Sequence, residues 1–191
     1  MLTMNTMSWF HKVVVFVPGC LLCPGLQAGD SEKNRTWPEV FRTLWEKYPV
    51  NLVQMPCPEV SFPDGFAGLG RAAHGIRHYE ALEGFRAHCF CLAQEIVNQL
   101  LSFQRAGYAV AAVVGIEHSP TCAVNYMYTS QGTIRRAGIY LDILMDMLSV
   151  ADIDITYIGV NRRFPRKAVN ALEHAILAAG GDDFFSESGV Q

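Results

Sequence analysis

Two hydrophobic periods alternate along this chain. Short runs of consecutive apolar residues, rich in β-branched side chains, predict buried strands. Apolar residues spaced three and four apart predict helices between those runs. The predicted strands are Lys12–Val17, Val50–Met55, Tyr108–Ile116 and Ile153–Val160. The predicted helices run from the Thr36-x-x-Glu39 capping box to Tyr48, from Phe85 to Phe103 with Gly107 just beyond, from Ile139 to Leu148, and from Pro165 to Ile176 before Gly180-Gly181.

Strands that alternate with helices predict an α/β fold. We expect a single domain over residues 1–185 with an open, mainly parallel sheet of about four strands in an order near 2-1-3-4. Helices should cover both faces, and residues 186–191 should form a frayed tail. The stretches Cys57–Gly84 and Glu117–Arg136 show neither period and are interpreted as irregular.

The amino-acid composition excludes several classes of protein. Half of the 191 residues are hydrophobic and 17% are charged, which is too apolar for a disordered protein. The net charge of −3 gives no basic excess for a nucleic-acid partner. The longest apolar runs are about half of a bilayer span, so no membrane association is expected. The apolar run Val13–Val17 is also short for a secretion signal, which favours a cytoplasmic protein with reduced thiols. Monomer and homodimer both remain open.

Three of the six cysteines directly follow predicted strands. Cys20 comes after the first, Cys57 after the second and Cys122 after the third. Ligand sites of open α/β sheets lie beyond the carboxyl ends of the strands. In a 2-1-3 order the three strand ends are neighbours, about 4.8 Å apart. We therefore expect the three thiols to converge at one edge of the sheet, in loops stiffened by flanking prolines.

Three convergent thiolates suggest two kinds of metal centre. Zinc takes four protein ligands in a structural site, or three plus water in a catalytic one. An iron–sulfur cluster usually takes four cysteines, so three would leave one iron with an exchangeable position. Such an iron acts as a Lewis acid, and soft sulfur is its natural ligand.

The three motifs around these cysteines resemble those of the thiouracil desulfidase family. They read Gly19-Cys20-Leu21-Leu22, Cys57-Pro58-Glu59-Val60 and Ser119-Pro120-Thr121-Cys122. The resemblance spans about residues 12 to 125. Cys23 stands where the family usually has glycine, and His118 and Ala123 replace the asparagine and glycine that usually flank the third motif.

This resemblance implies a compact α/β domain with a [4Fe-4S] cluster on Cys20, Cys57 and Cys122. It also implies hydrolytic, non-redox removal of sulfur from a small thiolated substrate such as a thiolated nucleobase. We expect Glu59 to act as general base on water, since a carboxylate near an anionic cluster should bind protons more readily. Ser119 would orient substrate or water.

The irregular segments supply further candidates for substrate contact. Arg71, His74, His78 and Tyr79 lie in the first and would form a lid, while His118 in the second would join a proton relay with Ser119. Tyr126, Met127 and Tyr128 would stack on a flat ring. Each of these residues could also be an ordinary surface or packing residue. Ser119 could be a turn residue, and Glu59 could be an exposed loop carboxylate or the ion-pair partner of Arg71.

The position of Cys23 is consistent with two other functions of the protein. Cys20-x-x-Cys23 after a first strand is typical of a thioredoxin-like thiol–disulfide enzyme. As a fourth ligand, Cys23 would instead close a zinc or iron–sulfur site and leave a non-catalytic binding protein. Cys89 lies on the apolar stripe of its helix and is expected in the core, and Cys91 faces another direction.

Overall fold

The central sheet is parallel and four-stranded. The computed structural model describes residues 12–29, 42, 44–48, 50–63, 72–129 and 131–180. The sheet contains β1 (Val13–Pro18), β2 (Asn51–Met55), β3 (Ala109–Ile116) and β6 (Tyr157–Val160), in the order β2-β1-β3-β6. All three pairings are parallel, which confirms the predicted fold class and the 2-1-3-4 order.

Strand β1 lies at the centre of the core because its sequence is continuously apolar. All six residues are buried, from Val13 to Pro18. A strand buried along its whole length must be covered on both faces, as in sheets built from crossover connections. Parallel pairing with β2 and β3 also brings the carboxyl ends of the three strands to one edge, where the loops follow.

Helices provide the connections. The described ones are α1 (Gly19–Leu22), α2 (Pro58–Ser61), α3 (Ile76–Ala81), α4 (Phe85–Arg105), α5 (Ile139–Val150) and α6 (Pro165–Gly180). The three long helices agree with the predicted ones, and each buries an apolar stripe such as Cys89, Ile96 and Leu100 on α4. Residue 42 and residues 44–47 are also helical, while the predicted capping box at Thr36 lies outside the described residues.

The two segments interpreted as irregular contain regular structure, so that prediction was incomplete. The first holds α2 and α3, although residues 64–71 lie outside the described part. The second holds an antiparallel hairpin of β4 (Tyr126–Thr129) and β5 (Gly132–Arg135). Gly132 has a φ of 114°, a backbone conformation suited to glycine in the turn. Elements this short carry too few residues for a period to stand out.

The fourth strand is shorter than predicted. Ile153–Val160 was expected, but pairing with β3 begins only at Tyr157. Asp152 has a φ of 55°, so the chain turns sharply after α5 and reaches the sheet four residues later than the apolar pattern suggests. The predicted tail at 186–191 lies outside the described residues.

No helix among the described residues is both long enough and apolar enough to cross a bilayer.

Candidate active site at the carboxyl edge of the sheet

A cavity of about 470 Å³ opens at the carboxyl ends of the strands. Loops that follow all four strands line it, and Cys20, Cys57 and Cys122 are all among its lining residues. The strand-end rule is the physical reason, because a parallel sheet delivers every β-to-α loop to the same edge. Three thiols remote in sequence therefore share one cavity.

Cys20 reaches the cavity through a sharp turn at the end of β1. Pro18 is extended, with φ −61° and ψ 140°, and the one-turn helix α1 begins directly after it. The Cys23 amide closes that turn by donating to the Gly19 carbonyl oxygen at 2.8 Å. The Cys20 side chain is half-buried.

Cys57 and Glu59 belong to one tight turn after β2. Cys57 precedes α2 in an extended conformation, and Pro58 occupies the first helical position, where its missing N–H costs no hydrogen bond. The Cys57 carbonyl oxygen accepts from the amides of Val60 and Ser61 at 3.0 and 3.1 Å. This short turn places Glu59 in the cavity wall, only 7% exposed.

Cys122 is held by a loop that folds back onto β3. The Ile116 amide donates to the Cys122 carbonyl oxygen at 2.8 Å, and the Ser119 hydroxyl oxygen accepts from the Cys122 amide at 3.0 Å. Two glycines permit the close packing. A Cβ on Gly115 would lie 2.4 Å from the Cys122 carbonyl oxygen, and one on Gly138 would lie 2.4–2.6 Å from the backbone of Thr121 and Cys122.

Glu59 links the second and third cysteine loops. The Thr121 hydroxyl donates to Glu59 Oε1 at 2.7 Å, and the Tyr79 hydroxyl donates to Oε2 at 3.1 Å. Thr121 is fully buried and adjacent to Cys122, while Glu59 lies two residues after Cys57. The carboxylate is therefore held at both oxygens within the wall that carries two of the thiols.

The electrostatics of the thiols disfavour free thiolates. Burial, together with the neighbouring Cys57, raises the pKa of Cys20 to about 12, although the Arg162 guanidinium opposes the shift. Burial, and to a lesser degree electrostatic repulsion from Cys57, also raises the pKa of Cys122 well above its usual value. Cys20 and Cys122 are therefore disfavoured as thiolates at neutral pH, because burial and the neighbouring thiol both oppose their ionisation.

His118 and Tyr128 form a flat aromatic wall of the same cavity. Their rings stack with centroids 4.0 Å apart and an interplanar angle of 16°. His118 has a φ of 69°, held by its amide, which donates to the Tyr126 carbonyl oxygen at 2.7 Å. Its Nδ1 atom is buried and has no hydrogen-bond partner within the described part of the chain.

Of the remaining predicted site residues, some line the cavity and others do not. Ser119 lines the cavity, but its hydroxyl also accepts from the amides of Thr121 and Cys122, as a turn residue does. Tyr79 is buried and contacts Glu59 rather than lining the cavity. His74 lines the cavity and stacks on His78 at 3.9 Å. The predicted contact Arg71 lies outside the described residues.

The other three cysteines lie away from the cavity lining. Cys23 is exposed and is not among the lining residues, so the geometry does not place it as a fourth ligand. Cys89 is fully buried on α4, as its position in the apolar stripe predicts. Cys91 is exposed on the same helix.

Several residues that line the cavity were not predicted from the sequence. Arg162 and Arg163 follow β6, and the strand-end rule applied to the fourth strand would have found them. Glu117 is buried and accepts from the amides of Asn125 and Tyr126 at 3.2 and 2.8 Å, which fixes the loop that carries His118. No sequence signal points to Gln27, which enters the wall through a one-turn 3-10 helix (Pro24–Leu26).

Comparison with protein-family models, with curated proteins and with solved structures finds no match for this chain. In the described part of the chain, no three His, Cys, Asp or Glu side chains are arranged to hold a single metal ion. The site is thus a mixed cavity of three thiols, a fixed carboxylate, a flat aromatic pair and two cationic side chains.

Proposed function

We propose that this protein is an iron–sulfur-dependent desulfidase, which removes sulfur from a thiocarbonyl compound such as a thiolated nucleobase. The observation that carries the proposal is the shared cavity of Cys20, Cys57 and Cys122, with Glu59 in the same wall. The motifs that resemble those of thiouracil desulfidases supply these same four residues.

The donor set of three soft thiols in one cavity fits an iron–sulfur cluster. A single zinc ion would need four protein ligands in a structural site, or three and a water in a catalytic one. In an iron–sulfur cluster each thiolate binds a different iron, so thiols from three separate loops can all contribute. Soft thiolates also match iron–sulfur chemistry.

Cys20, Cys57 and Cys122 would hold the [4Fe-4S] cluster. When bound on three cysteines, it supplies a Lewis-acidic iron with an exchangeable position for soft sulfur. Burial and the neighbouring Cys57 raise the pKa of Cys20 and of Cys122, so these two thiols would bind as thiolates only beside a positive charge such as iron. The raised pKa of Cys20 is the opposite of the lowered pKa that activates the nucleophile of a thiol–disulfide enzyme.

Glu59 would take a proton from water. Its carboxylate lines the cavity, and Thr121 and Tyr79 hold it in one orientation from both oxygens. The water oxygen forms a bond to the thiocarbonyl carbon, the carbon–sulfur bond breaks, and sulfur leaves as hydrogen sulfide with two protons from that water. The product is the oxo compound, and no electron donor or acceptor is needed.

The test measures sulfide release from 4-thiouracil by anaerobically purified protein. We expect Glu59→Gln to lose activity by about 100-fold or more while it keeps its iron, since general-base catalysis contributes about 10²–10⁴-fold. Glu83→Gln, at an exposed position before α4, is the matched control and should keep full activity. Equal turnover by Glu59→Gln and the control would remove Glu59 from the reaction. Iron-free wild-type protein that binds one zinc would instead favour a non-catalytic metal-binding protein.

A further inference from the structure

Gln27 brings a buried side-chain amide into the wall of the thiol cavity. It follows the 3-10 turn Pro24–Leu26, and its own backbone N–H closes that turn by donating to the Pro24 carbonyl oxygen at 3.1 Å. The residue is only 3% exposed and lines the cavity. Neither Oε1 nor Nε2 of its side chain has a hydrogen-bond partner within the described residues.

A buried amide of this kind indicates that a ligand supplies its hydrogen-bond partners. Nearly all buried polar side chains in proteins are hydrogen-bonded, because an unsatisfied donor or acceptor loses its water without replacement. Among the described residues, the donor and the acceptor of this one side chain both lack a partner. An anionic sulfur of a bound cluster would accept from Nε2 alone and would leave Oε1 unpaired. A group that offers an acceptor and a donor side by side satisfies both atoms.

We infer that Gln27 recognises a ring with a cis-amide or cis-thioamide edge. A primary carboxamide pairs in a bidentate manner with an N–H and an adjacent acceptor on one edge, as Gln does with adenine. In an open-chain trans amide the N–H and the acceptor point in opposite directions, so a lactam ring fits best. The stacked pair His118 and Tyr128 lines the same cavity and offers a flat surface for such a ring. For a thiolated ring, this inference rests on the proposed desulfidase.

The first test compares uracil, which offers N–H/C=O edges, with 1,3-dimethyluracil, which has no N–H. Both are oxo compounds, so calorimetric binding is measured without turnover. We expect wild-type protein to bind uracil at least about 10-fold more tightly than dimethyluracil, which is the worth of one bidentate pair. Gln27→Met should lose this preference, and Gln99→Met, at an exposed position on α4, should keep it. A wild-type protein without measurable preference for uracil, or a Gln27→Met variant that keeps it, would overturn the inference.

The second test measures stability without ligand. Gln27→Met replaces the unpaired amide with an apolar side chain of similar length, so its melting temperature should rise by about 4 °C. Gln99→Met should melt within about 1 °C of wild type, because glutamine and methionine have similar helix propensities. A melting temperature of Gln27→Met equal to or below that of wild type would show that the amide is not an unsatisfied group.

The two proposals fail in different ways. Iron-free protein without sulfide release would end the desulfidase proposal, while a Gln27-dependent preference for uracil would still establish the lactam site. Conversely, wild-type and Gln27→Met proteins that both contain iron and bind the two probes equally would end the role of Gln27 and leave the desulfidase standing.

Discussion

Replacing Thr121 with valine removes one hydroxyl from the centre of the site and almost no volume. Thr121 is fully buried, and its hydroxyl donates to Glu59 Oε1 at 2.7 Å. The same hydroxyl lies 3.3 Å from the Ser119 hydroxyl and 3.5 Å from Cys122 Sγ. A hydroxyl has one proton, the contact to Ser119 is long, and sulfur is the weaker acceptor. The substitution therefore removes chiefly the bond to the carboxylate.

The expected loss follows from the burial and charge of the acceptor. Hydrogen bonds to charged groups contribute about 1.5–3 kcal/mol, and Glu59 is only 7% exposed, so water replaces the lost donor poorly. We expect Thr121→Val to lower the free energy of unfolding by about 2 kcal/mol. With a urea m-value of about 2 kcal/mol/M, the midpoint of unfolding should fall by about 1 M.

Urea unfolding of the metal-free protein, followed by circular dichroism, measures this change. Thr133→Val is the matched control, because Thr133 is exposed in β5 and both residues are β-branched. The control should shift the midpoint by less than about 0.25 M at the same m-value. A Thr121→Val midpoint equal to that of the control would refute the role of this hydroxyl in fixing Glu59.

Two further substitutions test the placement of Cys122 and the burial of the thiols. Gly138→Ala would push a Cβ into the Thr121–Cys122 backbone, so we expect the free energy of unfolding in urea to fall by about 2 kcal/mol and iron retention to fall as well. Gly25→Ala should change neither, because Gly25 is exposed and its Cβ would meet only Cys23 Sγ, at 3.9 Å. Burial raises the pKa of Cys89 from 9.0 to about 12, so above about pH 9 the unfolded chain releases this proton and the folded chain keeps it. Stability of the metal-free protein should therefore fall between about pH 9 and 12, and Cys89→Ala should make that slope shallower by up to about 1.4 kcal/mol per pH unit; an unchanged slope would contradict the burial of this thiol.

The thiol cavity was predictable from the sequence because it depends on topology. Cys20, Cys57 and Cys122 each follow a run of apolar residues, and parallel pairing alone brings such positions to one edge. The same rule extends to Arg162 after β6. Predictions of this kind need only the order of elements.

The supporting contacts were not predictable because they depend on packing. The bond from Thr121 to Glu59 joins residues 62 apart in sequence, and no local pattern encodes it. Gly115 and Gly138 have ordinary backbone conformations, and only the close approach of the Cys122 loop explains why each lacks a Cβ. Tyr79, predicted as a substrate contact, instead bonds to Glu59 for the same reason.

Iron and acid-labile sulfide content of the anaerobically purified chain tests most directly whether the three thiols hold a cluster. We predict about four iron atoms per chain in the wild-type protein and in Cys91→Ser, whose thiol is exposed on α4, and less than about one in Cys57→Ser. A colourless, iron-free wild-type protein, or a Cys57→Ser protein with its full iron content, would contradict the account.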